Sequence, residues 1–475
     1  MINGLYLITP QGTDKHILGV TRAALMGGAR VVQYRDKERS QEDQINLARQ
    51  LVQLCKEGDA TFLVNDSPEV AEASFADGVH LGQGDISVQE ARRIIGPGKL
   101  IGISTRTVDQ ALRAEMSGAD YIAVGSMYPT STKGDAELVG LDTLRKVRRA
   151  VKLPIVAIGG INAVNGADTI DAGADALAVI SAIAGDQQPS LAARELALLF
   201  NRRLPKEQTR VMTVAGSDSG GGAGIQADLK TITLLGSFGT TAITVLTAQN
   251  TCGVQGMSPA SAGFIAKQME MIVSDIGTDT MKTGMLYSGD IVVQVAAQIE
   301  RHRLVAVVDP VMIAKGGAPL LKQEAVAAVR EQLLPKSFLL TPNIPEARAL
   351  TGLKIDSVEG METAARSLAE MGARHILLKG GHLDEDATDV LLSGGEILRL
   401  NAERVDTKNT HGTGCTYSAA IATLLAQGQP LQTAAKNAKR FISHAIQKAN
   451  SLGAGQGPVN HFAGAAALTH LPEDN

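Results

Sequence analysis

Short apolar runs recur at nearly regular intervals in the first 180 residues, and they constrain the fold more than any other feature of this sequence. Eight runs can be recognised, at residues 5–9, 31–35, 62–66, 78–82, 100–105, 121–125, 154–160 and 176–180. They are rich in Val, Ile and Leu, as is typical of parallel strands that are buried on both faces. The segments between them have helical periodicity, for example QEDQINLARQLVQLC. Eight strand–helix units predict a (β/α)8 barrel, the TIM barrel.

A second series of strand–helix units follows the first. With 475 residues, the chain exceeds the usual size of one domain. The run SLAARELALLF predicts a closing helix, and the polar segment NRRLPKEQTR follows it. We therefore predict a barrel at 1–201, a linker at 202–209 and a second domain at 210–475. The runs VMTVAGSD, VAVVDPVM, FLLTPN and HILLKGG predict that this second domain is a doubly wound α/β domain.

The composition indicates a folded α/β protein and not a disordered or repetitive chain. Hydrophobic residues make up 44% of the chain and charged residues 20%. A net charge of -4 argues against a nucleic-acid partner and against an anionic membrane surface. Three cysteines are too few for a disulfide framework or a thiolate zinc site. Neither a signal peptide nor a membrane span is evident, so we expect a cytoplasmic protein.

Polar residues cluster where the predicted barrel strands end, at the rim that carries the active sites of such barrels. Period-two alternation directs Gln33, Arg35 and Lys37 to one side of the second strand. Asp66 and Asp85 reach the same rim from neighbouring strands, and carboxylate oxygens suit Mg²⁺. Taken singly, each of these residues is more often a surface ion pair or a helix cap. Their convergence at one rim favours an anion and metal site.

The second half contains two glycine-rich segments. The run AGSDSGGGAGIQAD permits close approach of the backbone to a ligand, although it matches neither a P-loop nor a GxGxxG motif. The segment NTHGTGCT precedes an apolar helix, whose first amides favour phosphate. Cys415 falls in the first turn, where the helix dipole is expected to lower its thiol pKa and provide a base, though a small packing residue is the commoner role. Lys282 and Lys379 are candidates for phosphate contact or for surface charges.

The motifs QYRDK, ND, GVHLGQGD, IGIST, YPTSTK, VAIGGI and AVISAI resemble the motif series of thiamine-phosphate synthase. The resemblance implies that a pyrimidine diphosphate ionises and that the nitrogen of a thiazole phosphate attacks the resulting cation. It implies Mg²⁺ ligands at Asp66 and Asp85 and catalytic roles for Arg35 and Lys133. The implied diphosphate-binding residues are Gln33, Tyr34, Arg35, Asp36, Lys37, Asn65, Ser104 and Lys133. The implied thiazole phosphate residues are Thr130, Ser131, Thr132, Gly160, Ile180 and Ser181.

The motifs AGSDSGGGAGIQADLKT, TAQNTCGV, MKTGML, DPVM, TPNIPEA, LLKGGH and NTHGTGCTYSAAIA resemble hydroxymethylpyrimidine/phosphomethylpyrimidine kinase, which has the ribokinase-like fold. The resemblance implies two ATP-dependent phosphorylations, whose product is the substrate of the barrel. It implies Cys415 as the base and a pyrimidine pocket at Gln249, Gly216 and Asp228. The implied anion-hole and ATP residues are Gly412, Thr413, Gly414, Asp309, Asn343, Glu346 and Lys379. A homodimer is expected from the same resemblance.

Two alternatives remain open at this point. One is a different phosphate-binding barrel fused to a pyridoxal or sugar kinase; the barrel motifs and the cysteine at position 415 argue against it. The other is a sensing or scaffold protein that keeps both folds without the chemistry. Retention of Asp66, Asp85, Lys133 and Cys415 makes loss of activity a poor explanation.

Overall fold

The computed structural model describes residues 2–130, 137–312, 323–381 and 387–469. The chain divides into two compact units, Met1–Phe200 and Asn201–Asn475. Within the second unit, Asn201 Nδ2 donates a hydrogen bond to the carbonyl of Ala426, and Arg202 Nη1 donates to the carbonyl of Gly428. The start of the segment that we predicted as a linker therefore packs on the second unit.

The first unit is a closed barrel of eight parallel strands, paired in chain order. The strands are β1 (Gly4–Ile8), β2 (Ala29–Tyr34), β3 (Thr61–Asn65), β4 (Gly78–Leu81), β5 (Leu100–Thr105), β6 (Tyr121–Gly125), β7 (Ile155–Ile158) and β8 (Ala176–Val179). The helices are α1 (Asp14–Met26), α2 (Gln41–Glu57), α3 (Pro68–Ala73), α4 (Val88–Ile95), α5 (Val108–Met116), α6 (Gly140–Ala150), α7 (Gly166–Asp171), α8 (Ser181–Ala184) and α9 (Pro189–Leu198). The TIM barrel predicted from the sequence is confirmed.

Alternation along the barrel strands produces two apolar layers. Tyr6, Val31 and Tyr121 belong to the cluster inside the barrel. Their neighbours in sequence, such as Leu7 and Val32, pack in the larger cluster that the strands share with the helices. Because successive side chains of a strand point to opposite faces, a residue two positions beyond an inward one also points inward. This rule places Gln33 inside the barrel, two residues after Val31.

The second unit is a sheet of nine strands with helices. The strands are β9 (Arg210–Asp218), β10 (Phe238–Asn250), β11 (Gly253–Pro259), β12 (Thr280–Thr283), β13 (Ala306–Val308), β14 (Leu339–Leu340), β15 (His375–Leu378), β16 (Asp389–Ser393) and β17 (Glu396–Leu400). The helices are α10 (Gly224–Leu234), α11 (Ala262–Met271), α12 (Gly289–His302), α13 (Gln323–Ala328), α14 (Ile344–Thr351), α15 (Val358–Glu370), α16 (Thr413–Ala426), α17 (Leu431–Gln447) and α18 (His461–Thr469).

The strand order of this sheet is β11-β10-β9-β12-β13-β14-β15-β16-β17. The six strands from β10 to β15 are mutually parallel, and β11, β16 and β17 extend the two edges antiparallel. Helix α16 is buried on all sides from Thr416 to Ala426, as its uniformly apolar sequence predicts. The doubly wound α/β fold of the second domain is thereby confirmed. Among the described helices, none is both long and apolar enough to cross a membrane.

Candidate active sites

The barrel rim brings together the cations and amides that we predicted for the diphosphate. Gln33 lies inside the barrel with 3% of its surface exposed, Arg35 is half-buried and Lys37 is exposed. The backbone N–H of Arg35 donates to Thr9 Oγ1 at 3.1 Å, which fixes the chain where β2 ends. Asn65 and Ser104 are half-buried at the ends of β3 and β5. Because all these strands are parallel, these residues share one rim.

Asp66 and Asp85 lie close together beside a cation. Lys37 Nζ is 3.8 Å from Asp66 Oδ2, and the N–H of Gly82 donates to Asp85 Oδ2 at 2.7 Å. Burial raises the pKa of Asp66, the adjacent carboxylate of Asp85 raises it further, and Lys37 lowers it. A divalent cation would relieve this repulsion, so the pair fits Mg²⁺. No group of three or more His, Cys, Asp or Glu that could hold a metal occurs in the described residues, so phosphate and water would complete the shell.

A chain of polar side chains crosses the barrel interior below this rim. His80 Nε2 is 2.9 Å from Ser104 Oγ, His80 Nδ1 is 2.9 Å from the hydroxyl of Tyr121, and that hydroxyl is 3.2 Å from the hydroxyl of Tyr6. No role for His80 follows from the sequence pattern alone. The signal that marks it is a polar residue in the apolar strand GVHL, at a position that alternation directs inward. This row of hydrogen-bonded side chains fixes the hydroxyl of Ser104.

Two residues of the QYRDK motif face away from this set. Tyr34 packs in the layer between strands and helices, because alternation places it opposite Gln33. Its hydroxyl donates to Asp36 Oδ2 at 3.4 Å. Asp36 forms an ion pair with Arg39 and accepts the N–H groups of Glu38 and Arg39. Burial alone would raise the pKa of Asp36, but these contacts lower it. The structure thus gives Tyr34 and Asp36 internal partners within the loop after β2.

The glycines after β7 bring their backbone against the loop after β6. Gly159 and Gly160 have φ values of +100° and +66°, and a Cβ at Gly160 would lie 2.5 Å from the carbonyl oxygen of Pro129. Ile180 is half-buried and Ser181 is exposed at the start of α8, while Thr130 is half-buried. The predicted residues Ser131, Thr132 and Lys133 lie outside the described residues.

In the second unit, the predicted anion hole is the first turn of α16. Gly412 is the N-cap with φ +76°, and the Thr413 hydroxyl donates to the carbonyl of Thr410 at 2.7 Å. A Cβ at Gly414 would lie 3.4 Å from both Asp309 Oδ2 and Lys379 Nζ. The N–H of Thr413 donates to the carbonyl of Thr410 at 3.3 Å. The other N–H groups at this helix start, together with the ammonium group of Lys379, form a positive corner suited to phosphate.

Asp309, Lys379 and Glu346 form one charged cluster behind this corner. Lys379 Nζ is 2.7 Å from Asp309 Oδ1. Burial opposes the charge of Lys379, yet Asp309 and Glu346 raise its pKa. Burial raises the pKa of Glu346 to about 7, and Lys379 counters this. Asn343 and Glu346 also cap α14 reciprocally, each accepting the other's backbone N–H at 2.8 Å.

Lys282 lies in the interior, which corrects our alternative of a surface charge. Its ammonium group is 2.9 Å and 3.0 Å from the two oxygens of Asp228, and the Thr213 hydroxyl donates to Asp228 Oδ2 at 2.6 Å. Both Lys282 and Asp228 are fully buried. Burial disfavours the charge on Lys282, but Asp228 outweighs it and raises the pKa. Gly216 is buried beside Val245, where a Cβ would approach to 2.9 Å.

Cys415 is half-buried in the first turn of α16, as predicted. The direction of its pKa differs from our expectation. Burial raises the pKa of the Cys415 thiol; Lys282 lowers it, while Asp228 and Asp309 raise it again. The expected lowering by the helix dipole is therefore reversed, because burial penalises the thiolate more than its surroundings stabilise it.

Asp218 and His411 are two further residues that no motif argument singled out. His411 Nε2 is 2.9 Å from Asp218 Oδ2 and 3.4 Å from Gln249 Nε2. Asp218 also accepts the N–H groups of Gly220, Gly222 and Ala223. The glycine-rich loop therefore directs these amides at a carboxylate of the protein. The signal in the sequence is an aspartate two residues before a glycine run, where it can accept local backbone N–H groups.

Comparison with known proteins relates both units to one biosynthetic route. Residues 5–183 match the family model of thiamine monophosphate synthase, and residues 218–460 match that of phosphomethylpyrimidine kinase. The thiamine biosynthesis bifunctional protein ThiED of Geobacter sulfurreducens is 52% identical over 97% of this chain and 94% of its own length. The hydroxymethylpyrimidine/phosphomethylpyrimidine kinase of Bacillus subtilis is 46% identical over 54% of this chain and 95% of its own.

A solved structure relates the second unit to kinases by fold as well. The Bacillus subtilis pyridoxal kinase in its ADP complex is 41% identical, with a TM-score of 0.51 over 54% of this chain and 98% of its own. Both predicted resemblances are thus confirmed, and the ribokinase-like description of the second fold agrees with this match. The chain belongs to the family of bifunctional thiamine biosynthesis proteins that join a thiamine-phosphate synthase to a hydroxymethylpyrimidine/phosphomethylpyrimidine kinase.

Proposed function

We propose that this chain catalyses consecutive steps of thiamine biosynthesis. The second unit phosphorylates 4-amino-5-hydroxymethyl-2-methylpyrimidine twice with ATP. The barrel condenses the resulting diphosphate with thiazole phosphate to give thiamine phosphate and diphosphate. The observation that carries the proposal is that one chain contains both a positive corner at the start of α16 and a rim of cations beside two carboxylates.

In the kinase step, the substrate oxygen attacks the γ-phosphorus of ATP, the bond from that phosphorus to the β–γ bridging oxygen breaks, and ADP leaves. Charge on the transferred phosphoryl group is stabilised by the N–H groups from Gly412 to Cys415 and by Lys379. We assign Cys415 as the base that accepts the proton of the substrate hydroxyl. Burial raises the pKa of Cys415 and the ammonium group of Lys282 lowers it, so Lys282 favours the thiolate that this role requires.

In the synthase step, the bond between the pyrimidine methylene and the diphosphate breaks before the thiazole nitrogen attacks. Arg35 and Lys37 neutralise the charge that develops on the leaving diphosphate, and Lys133 is proposed to assist them. Mg²⁺ at Asp66 and Asp85 would neutralise further phosphate charge when bound. Ser104, held by His80, orients the diphosphate end of the substrate.

We also propose that the chain forms a homodimer through the edge of the nine-stranded sheet. Strand β11 is largely exposed, and it ends the sheet beside β10. Leu246 and Phe264 nearby are 54% and 60% exposed. An exposed edge strand with apolar neighbours is a surface that a second copy can cover.

The exposed thiol of Cys252 suits the reducing cytoplasm, which we propose as the compartment of this protein.

One reconstitution tests both activities. The purified chain is incubated with hydroxymethylpyrimidine, ATP, Mg²⁺ and thiazole phosphate, each omitted in turn, and thiamine phosphate is quantified. We expect product only when all four are present. Accumulation of pyrimidine diphosphate without thiamine phosphate would contradict the barrel assignment, and absence of both products would contradict the kinase assignment. A second assay replaces hydroxymethylpyrimidine with pyridoxal. It tests whether the kinase unit also phosphorylates the substrate of the pyridoxal kinase that it resembles in fold. Sedimentation equilibrium tests the dimer.

A further inference from the structure

The carboxylate of Asp218 joins two segments of the kinase unit that are far apart in sequence. Asp218 ends β9 and has 4% of its surface exposed. Its Oδ1 accepts the N–H of Gly220 at 2.8 Å, and its Oδ2 accepts the N–H groups of Gly222 at 3.0 Å and Ala223 at 2.8 Å. His411, 193 positions later, adds a fourth contact to the carboxylate, at 2.9 Å from Oδ2. One buried side chain therefore fixes both the glycine-rich loop and the loop that leads into α16.

The two loops approach so closely that side chains are excluded between them. A Cβ at Gly412 would lie 1.8 Å from the carbonyl oxygen of Gly222, and a Cβ at Gly222 would lie 2.5 Å from Cδ2 of His411. These distances are below any normal contact. The position of the start of α16, which forms the anion hole, is thus tied to the position of residues 219–223.

The charge state of the pair follows from its hydrogen bonds. Burial would raise the pKa of Asp218, but His411 and the backbone N–H groups lower it below its usual range, so the side chain is an ionised acceptor. A carboxylate has no hydrogen to donate, so His411 Nε2 must carry the proton between them. That proton points at Asp218, and His411 Nε2 cannot also accept a hydrogen bond from Gln249 Nε2, which is 3.4 Å away.

The backbone of Gln249 is fixed by the same loop. Ser219 Oγ accepts the backbone N–H of Gln249 at 2.8 Å and donates to the carbonyl of Gln249 at 2.7 Å. Thr247 Oγ1 lies 3.3 Å from Gln249 Oε1, but its single hydrogen has a nearer acceptor in the carbonyl of Ser217 at 2.9 Å. Ser219 belongs to the loop that Asp218 holds. Among the described residues the hydrogens on Gln249 Nε2 meet no acceptor of the protein, so they can serve a ligand with an acceptor, such as a ring nitrogen of an aminopyrimidine.

We propose that Asp218 and His411 form a positioning pair that sets the anion hole and the ring-recognising amide of Gln249 in one geometry. The pair acts in the kinase step proposed above and touches no reacting atom. Loss of the pair lets the anion hole and the amide of Gln249 move apart. Both kcat and the preference between hydroxymethylpyrimidine and other ring substrates are then affected. A misplacement of about 1 Å in such a site costs about 100-fold in rate.

The test compares His411→Ala with His411→Gln in the full chain. Gln Nε2 can replace His Nε2 as the donor to Asp218, whereas alanine removes it. We expect His411→Ala to lose about 100-fold in kcat/KM for hydroxymethylpyrimidine, with both kcat and KM affected, and His411→Gln to recover at least about tenfold of that loss. The ratio of kcat/KM for hydroxymethylpyrimidine to kcat/KM for pyridoxal should fall in His411→Ala, because the amide of Gln249 is no longer held in one position.

Two controls separate positioning from folding. Synthase activity, measured with pyrimidine diphosphate supplied directly, should remain unchanged in every variant because the barrel is a separate unit. Asp389→Asn disrupts another buried ion pair of the kinase unit, with Lys439 at 2.7 Å, and should leave the substrate ratio unchanged. The proposal is overturned if His411→Ala keeps its kcat/KM within twofold of the parent, or if His411→Gln is as slow as His411→Ala. A parent chain without kinase activity would instead contradict the proposed function.

Discussion

The ammonium group of Lys379 lies 2.7 Å from Oδ1 of Asp309, and both groups are next to Gly414, the second residue of α16. The carboxylate of Asp309 holds the ammonium group of Lys379 near the N–H groups at the start of α16. In the part of the chain that the structure describes, Asp309 accepts none of those N–H groups. The side chain of Asp309 is 2% exposed. Asp309 thereby fixes the ammonium group of Lys379 at the point where the transferred phosphate is proposed to lie.

Replacing Lys379 by methionine should therefore abolish most of the kinase activity. We expect kcat/KM to fall about 100-fold or more, because a charge aimed at the transferred phosphoryl group is lost. The matched control is Lys439→Met, which breaks the buried contact with Asp389 at 2.7 Å, well separated in sequence from residues 412–415. Both variants should destabilise the unit by about 3 kcal/mol, since each leaves a buried carboxylate unpaired. Steady-state kinetics should show a large loss in the first variant alone; equal losses would argue against a phosphate role.

Gly412→Ala tests the close approach of the two kinase loops. The new Cβ would lie 1.8 Å from the carbonyl oxygen of Gly222, at a φ of +76°. Gly352 has a nearly equal φ of +74° but nothing within 4 Å of a Cβ, so Gly352→Ala carries the backbone strain without the collision. We expect Gly352→Ala to cost about 1 kcal/mol of stability and to keep its activity. Gly412→Ala should lose kinase activity, and similar kinetics for both variants would refute the contact.

His461 should make the stability of the kinase unit fall in mild acid. Burial lowers the pKa of His461 from 6.5 to about 4, and its Nε2 is 3.0 Å from Thr416 Oγ1. The unfolded chain therefore binds a proton at higher pH than the folded one. The stabilisation is present above pH 6.5 and is lost as the pH falls toward 4, by up to about 3 kcal/mol.

Calorimetry at pH 7.5 and pH 5 measures this effect on the unfolding of the kinase unit. The kinase unit is identified as the unfolding transition whose melting temperature rises when ATP is added. His461→Gln should reduce the difference in melting temperature between the two pH values. The exposed His444 provides the control, because His444→Gln should leave the difference as it is. An unchanged pH dependence in His461→Gln would show that other groups control the acid transition.

Asp66→Asn should weaken the response of the synthase to Mg²⁺. The substitution removes one of two adjacent carboxylates, and we expect the Mg²⁺ concentration for half-maximal rate to rise by about tenfold or more. Asp142→Asn removes a carboxylate that is 89% exposed on α6 and serves as the control. Kinase activity should not change in either variant. An unaltered Mg²⁺ titration in Asp66→Asn would exclude this carboxylate as a ligand.

Sequence patterns alone determined the two folds and the rim of the barrel. Buried parallel strands need continuous apolar runs, and period two predicts that Gln33, Arg35 and Lys37 lie on one side; both constraints are local and visible in the chain. The glycines before α16 likewise predicted a helix start suited to phosphate.

Only the tertiary structure decided how the charges inside these sites are paired. Lys282 looked like a strand-end charge and proved to be buried against Asp228, 54 positions away. The helix dipole predicted a lowered pKa for Cys415, but burial raises it. His80 and His411 acquired partners 24 and 193 positions away, at Ser104 and Asp218. Periodicity is a property of neighbouring residues, whereas desolvation and pairing depend on which distant segments the fold brings into contact.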